Sequence, residues 1–198
     1  MFILAPGVKV PFPEQIEEKF QMRENSIQFN ISFEKLDCFV RAFIAMIKEP
    51  CFFILHVPVS EDEDAKLRKI PSEPFHENVY YMDGLSKVDL ISILDQFGDL
   101  FFQDGIIKFG VASHVTSDEL FVEKYKILNI WSQEISYYLP LLDEFQIFET
   151  EKLITAWNTF TVDNPGECHR ITIEGKSIYD ARDALLLKGM YFAKIVED

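Results

Sequence analysis

The chain has 198 residues, 48% of them hydrophobic and 26% charged, which is the balance of a globular domain with a core rather than of a disordered or collagen-like chain. Its 33 Asp and Glu outnumber 19 Lys and Arg, a net charge of −14 that repels nucleic-acid phosphates and anionic headgroups. No apolar run approaches the roughly 18 residues of a membrane-spanning helix, and the three cysteines, Cys38, Cys51 and Cys168, are too few and too scattered for a disulfide framework and fit a reducing compartment.

In chain order, the start MFILAPGVKVPFP has neither the basic opening nor the apolar length of a secretory signal, so a cytoplasmic chain is expected. Pro13 opens an expected helix to about Arg23, with Glu14, Glu17 and Glu18 near its positive end. Residues 26–31 (SIQFNI) alternate and read as a half-buried strand. Ser32 stands at the cap of a long helix whose Phe33, Leu36, Val40, Phe43, Ile44 and Ile47 follow the three-four spacing. Residues 51–57 (CFFILHV) are apolar almost throughout and read as a central strand covered on both faces.

Residues 60–71 (SEDEDAKLRKIP) fit a short helix, with a Ser60/Glu63 capping box and acids in its first turn. Residues 78–82 are an expected strand. Ser86 and Asp89 begin another helix that turns Leu90, Ile93, Leu94 and Phe97 inward. In LFFQ-DG-IIKF (100–109), Asp104-Gly105 has the composition of a tight hairpin turn, which sets Phe102 opposite Ile107 and Leu100 opposite Phe109. Residues 124–131 read as a strand, followed by a helix kinked or restarted at Pro140. Residues 153–160 read as extended. Asn164-Pro165-Gly166-Glu167 suits a type II turn, and residues 168–173 suit a strand. Ser177 and Asp180 cap a last helix, Gly189 ends it, and 190–196 close the chain as a strand. Mixed hairpins and helical crossovers, with no repeat or linker, predict a single α+β domain over residues 1–198, its mixed or mostly antiparallel sheet packed against helices.

Motifs that would fix a chemistry are missing. The chain has no phosphate-binding glycine loop, no G-x-S-x-G elbow and no H-E-x-x-H pair. Cys168-His169 cannot act as nucleophile and base if they are strand neighbours, because their side chains then point to opposite faces. His56, inside the apolar strand, reads as a hydrogen-bonded core histidine. The quartet 61–64 lacks the spacing and glycine of a calcium loop. Most of the 19 Phe, 7 Tyr and 2 Trp fall on expected inner faces. No catalytic residue, metal ligand or cofactor is therefore assigned.

Two stretches, FQDGIIKFGVASHVTSDELFVEKYKILNIWS (102–132) and LITAWNTFTVDNPGECHRITIEGKSIYDARDALLLKGMYFA (153–193), resemble small acidic bacterial proteins of the toxin-immunity type. The resemblance contains no motif with a chemical role. It implies a non-enzymatic binding protein that occludes a basic, nuclease-like toxin, and the even negative charge suits such a partner through electrostatic steering. Glu61, Asp62, Glu63 and Asp64, with Asp118 and Glu119, are the expected contacts. Two alternatives stay open. One is a metal-dependent hydrolase using His114, Asp118 and Glu119 with distant partners; the other is a small-ligand sensor with an aromatic pocket.

Overall fold

In the computed structural model, which describes residues 2–70 and 72–197, the chain runs through eleven strands and five α-helices. In order these are β1 (Val8–Lys9), β2 (Lys19–Arg23), β3 (Ser26–Phe29), α1 (Phe33–Met46), β4 (Cys51–Pro58), α2 (Glu61–Leu67), β5 (His76–Leu85) and α3 (Lys87–Gln103). Then come β6 (Lys108–Ser113), β7 (Glu119–Val122), β8 (Leu128–Trp131), α4 (Leu139–Glu144), β9 (Phe148–Glu149), β10 (Glu167–Cys168), α5 (Ile178–Leu186) and β11 (Tyr191–Glu197). Nine strands form one sheet in the order β11-β5-β4-β6-β7-β8-β3-β2-β9, and β1 pairs with β10 separately. Within the large sheet only β2–β9 is parallel. This is the α+β architecture that the order of elements predicts. No helix among the described residues is long and apolar enough to cross a membrane.

One face of the sheet carries the main core. Leu36, Phe39, Val40, Phe43 and Ile44 recur every three or four residues and form the buried stripe of α1. They cluster with Phe53, Leu55 and Val57 of β4, Phe97 and Phe101 of α3, and Leu185 of α5. Each such side chain contributes about 1.5–3 kcal/mol by leaving water. The opposite face is only partly covered. Ile54, Val79 and Phe121 are buried there beneath half-exposed Phe52, Tyr81 and Val196. Thus β4 is central, as its sequence predicts, but Phe52 and His56 keep some access to solvent.

Local capping chemistry is observed where the sequence places it. Ser60/Glu63, Ser86/Asp89 and Ser177/Asp180 form reciprocal capping boxes at α2, α3 and α5. Gly189 follows α5 with φ of 109°, a conformation that side chains resist. Pro71, the end of the expected segment around α2, lies outside the described residues.

Other expectations need correction. The expected helix 13–23 is one 3-10 turn, Pro13–Gln15, followed by β2. Pairing of Phe20 with Phe29 and Met22 with Ile27 overrides the helical signal, since tertiary partners outweigh propensity. Glu18 instead accepts hydrogen bonds from Ser32 N and Lys35 Nζ, and the Ser32 side chain does not cap α1.

The Asp104-Gly105 hairpin does not form, because residues 100–103 are the last turn of α3 and Asp104 ends it. Residues 124–126 form a tight turn with Tyr125 and Lys126 at φ of 59° and 56°, so that strand begins only at Leu128. Residues 156–159 form a 3-10 turn rather than an extended segment. The turn expected at 164–167 closes three residues earlier, through reciprocal Thr161–Asn164 backbone bonds. The strand expected over 168–173 is reduced to the short β10 pairing.

Candidate functional site

Two concave regions gather charged side chains from several elements. The first lies at one end of the large sheet. Register brings it together: His56 of β4 stands opposite Lys108 of β6, and Pro58 stands opposite Glu77 of β5. On the face away from the main core, His56, Glu77 and Lys108 are therefore neighbours. Glu77 is 1% exposed, and its Oε2 lies 3.2 Å from His56 Nδ1 and 2.9 Å from Lys108 Nζ. Burial pushes the Glu77 carboxyl up, but the His56 bond and the charge of Lys108 outweigh it and hold the group below its ordinary range. Its Oε1 is buried with no hydrogen-bond partner.

The helix α2 forms a wall beside this cluster. Its fourth residue, Asp64, turns inward and accepts from both the backbone N and Nδ1 of His76, each at 2.9 Å. Arg68, one turn on, reaches Asp64 at 3.6 Å and lies 4.5 Å above the Phe75 ring. The opposite wall is the segment 167–171, fixed by a backbone knot. His169 N donates to Gly7 O at 2.7 Å, Gly105 N donates to His169 O at 3.0 Å, and Gly7 N donates to Gln103 O at 2.8 Å. Asp104 adds bonds from Ile106 N and Ile171 N, while burial pushes its carboxyl up.

A Cβ on Gly105 would meet Gly7 O at 1.9 Å, so this glycine serves close approach and not a turn. The knot presents Cys168 and Arg170 to the space between the walls. Arg170 donates to the Tyr179 hydroxyl at 3.2 Å and lies 4.6 Å over that ring. Tyr179 in turn donates to Pro58 O at 3.3 Å. The half-open cavity between the walls is about 740 Å³, and Arg68, Phe75, His76, Glu77, Lys124, Cys168, Arg170 and Tyr179 are among its lining residues.

The second region is a groove of about 370 Å³ between α1 and α3. Glu34, Asp37 and Arg41 follow one face of α1, and Asp95 and Asp99 are one turn apart on α3. Phe33, Leu94 and Phe102 supply apolar lining. Among the described residues Arg41 is the one cation lining the groove, and it is already bonded to Asp37 and Asp95 across the two helices, each at 2.7 Å. Two of the four carboxylates, Asp37 and Asp95, therefore share its guanidinium.

The six expected partner contacts are not brought into one surface. Glu61, Asp62 and Glu63 are exposed on the first turn of α2, but Asp64 is buried in its bonds to His76 and Arg68. Asp118 lies beyond the other end of β4: Ser113, which faces Cys51, donates to its carbonyl. The eight residues of β4 separate these ends by about 23 Å at 3.3 Å per residue. The Asp118 carboxylate is taken by Ser132 Oγ and Thr116 Oγ1. Glu119 is half-buried on β7, and burial pushes its carboxyl up.

Nor do His114, Asp118 and Glu119 converge. The His114 ring pairs with Asp83 at 3.0 Å and packs on Phe52. No group of three His, Cys, Asp or Glu among the described residues is placed to hold a metal. Cys168 and His169 part as their order requires: burial pushes the thiol up, and the imidazole turns outward to Glu167 at 3.1 Å.

No family model matches the chain, and comparison with curated proteins and with solved structures finds no match.

Proposed function

We propose that the chain is a non-catalytic binding protein for a basic partner protein, of the immunity type that occludes a nuclease-like toxin. The observation that carries this reading is the α1–α3 groove, lined by four carboxylates and, among the described residues, by one cation, Arg41, that two of them already hold. A lysine or arginine of a partner that enters there gains carboxylate partners and covers the half-buried Phe33. The wider surface supports the same reading. Acids outnumber bases 33 to 19 over the chain, but by more than two to one among the exposed described residues. Lys126 is buried, and Lys35, Arg41, Arg68 and Lys108 are held in partly buried pairs with carboxylates. The field seen by an approaching protein is therefore strongly negative, which raises association rates and makes them sensitive to salt.

The test is affinity capture from the native cell lysate on the immobilised chain at low and high salt, with mass spectrometry. A parallel capture uses Glu34→Gln, Asp37→Asn, Asp95→Asn and Asp99→Asn combined. One basic protein held at low salt, shed at high salt and lost with the neutralised groove is the expected result. Retention that ignores both salt and the four substitutions sinks the reading. A third capture with Glu61→Gln, Asp62→Asn and Glu63→Gln decides whether α2 shares the contact.

A further inference from the structure

The cavity at the sheet end has no part in the partner reading, and its chemistry differs from that of the groove. Its walls hold both signs of charge. Arg68, Lys124 and Arg170 line it together with Glu61, Asp64 and the buried carboxylate of Glu77. Arg170 gives one hydrogen bond among the described residues, to a neutral phenol, and its stacking on Tyr179 holds the guanidinium in place. Such a fork matches the two oxygens of a carboxylate or phosphate. Glu77 Oε1 is a buried acceptor with no donor, a state that costs free energy until a donor arrives. The volume, about 740 Å³, lies within the range of pockets that enclose small organic molecules.

We propose that this cavity binds a small organic oxyanion that also carries an N–H or O–H donor. Arg170 takes the oxyanion, and Glu77 takes the donor. Phe75 and Tyr179 supply apolar wall between them. A bare anion fails this description because nothing on it answers Glu77, and a simple cation fails because nothing on it answers Arg170. Two sources share the required chemistry: a nucleoside monophosphate and a free α-amino acid.

Calorimetric titration and thermal shift on the full chain separate them. The probes are adenosine monophosphate and guanosine monophosphate in one arm, and L-serine and L-glutamine in the other. Adenosine and inorganic phosphate serve as half-ligands. One arm is expected to bind and to raise Tm, more strongly than either half-ligand. Arg170→Gln, at an exposed position, is expected to weaken that binding about tenfold or more while leaving the ligand-free Tm unchanged. Glu77→Gln should weaken it as well; because Glu77 also holds His56 and Lys108, its effect counts only if the variant keeps the wild-type melting profile. No binding of any probe at millimolar concentration, phosphate alone binding as tightly as the nucleotide, or binding untouched by Arg170→Gln overturns the proposal.

Discussion

The groove between α1 and α3 and the cavity at the sheet end are both charged hollows, yet the chain builds them in opposite ways. The groove needs two helices, each amphipathic by its own spacing, and its acids stand on the outer edge of those helices. The cavity needs the ends of β4 and β5, α2, the turn at 124–126, the segment 167–171 and Tyr179 of α5. Its charges are largely answered inside the protein: Arg68 by Asp64, and Lys108 by Glu77. Charge left at a surface acts at long range and is screened by salt, whereas charge enclosed among partners acts by geometry and is screened little.

The sharpest way to break this contrast is Gly105→Ala. The new methyl has no room beside Gly7 O, so the knot that holds the cavity wall must open. The expected cost is about 4 kcal/mol, in the class of strained backbone and broken buried networks, read as a fall in the urea midpoint. A loss below about 1 kcal/mol would show that the wall is not held by the knot.

Lys126 gives a second, pH-dependent contrast. It is buried, donates to Phe101 O at 3.0 Å, and has its pKa lowered by burial to about 8. The unfolded chain keeps the ordinary value of 10.5. Between these values the unfolded state holds a proton that the folded state lacks, so stability rises with pH across about 8 to 10.5 and is flat below 8 from this group. The full rise is roughly 3 kcal/mol. Lys126→Met should remove the rise and leave the protein at least as stable at pH 7, measured by denaturation at several pH values. A rise that persists in the variant assigns it elsewhere.

The smallest effect is expected in the groove. Arg41→Met deletes ion pairs whose Asp95 partner is well exposed, so stability should change by less than about 1 kcal/mol. Retention of a basic partner should nevertheless survive to higher salt, because Asp37 and Asp95 lose their internal cation. Unfolding curves and the salt at elution read the two effects separately.

Legibility in the sequence followed the range of the interaction. The capping boxes at Ser60, Ser86 and Ser177 need a partner three residues away, so the letters contain the whole device. The stripe of α1 and the central place of β4 follow likewise from local spacing. Gly105 and Gly166 misled for one shared reason. Each was read as a turn residue, but each is small because another part of the chain presses on it: Gly7 O in one case and the Phe160 ring in the other. Nothing beside a glycine in sequence distinguishes these uses. The Glu77, His56 and Lys108 cluster was hidden in the same way, since each member lies on a separate strand. A charged residue within a strand otherwise rich in apolar side chains was the available hint. Asp64 shows the converse limit: a run of four acids does not reveal which one turns inward.

The knot of Gly7, Gly105 and His169 also orders the birth of the molecule. A chain emerging from its amino end can pair α1 with α3 once residue 103 is out. The knot must wait until residue 169 follows, and closing so long a loop comes at an entropic cost that only later contacts offset. The helices that line the acidic groove are therefore complete in the growing chain before the segment that walls the cavity has been made.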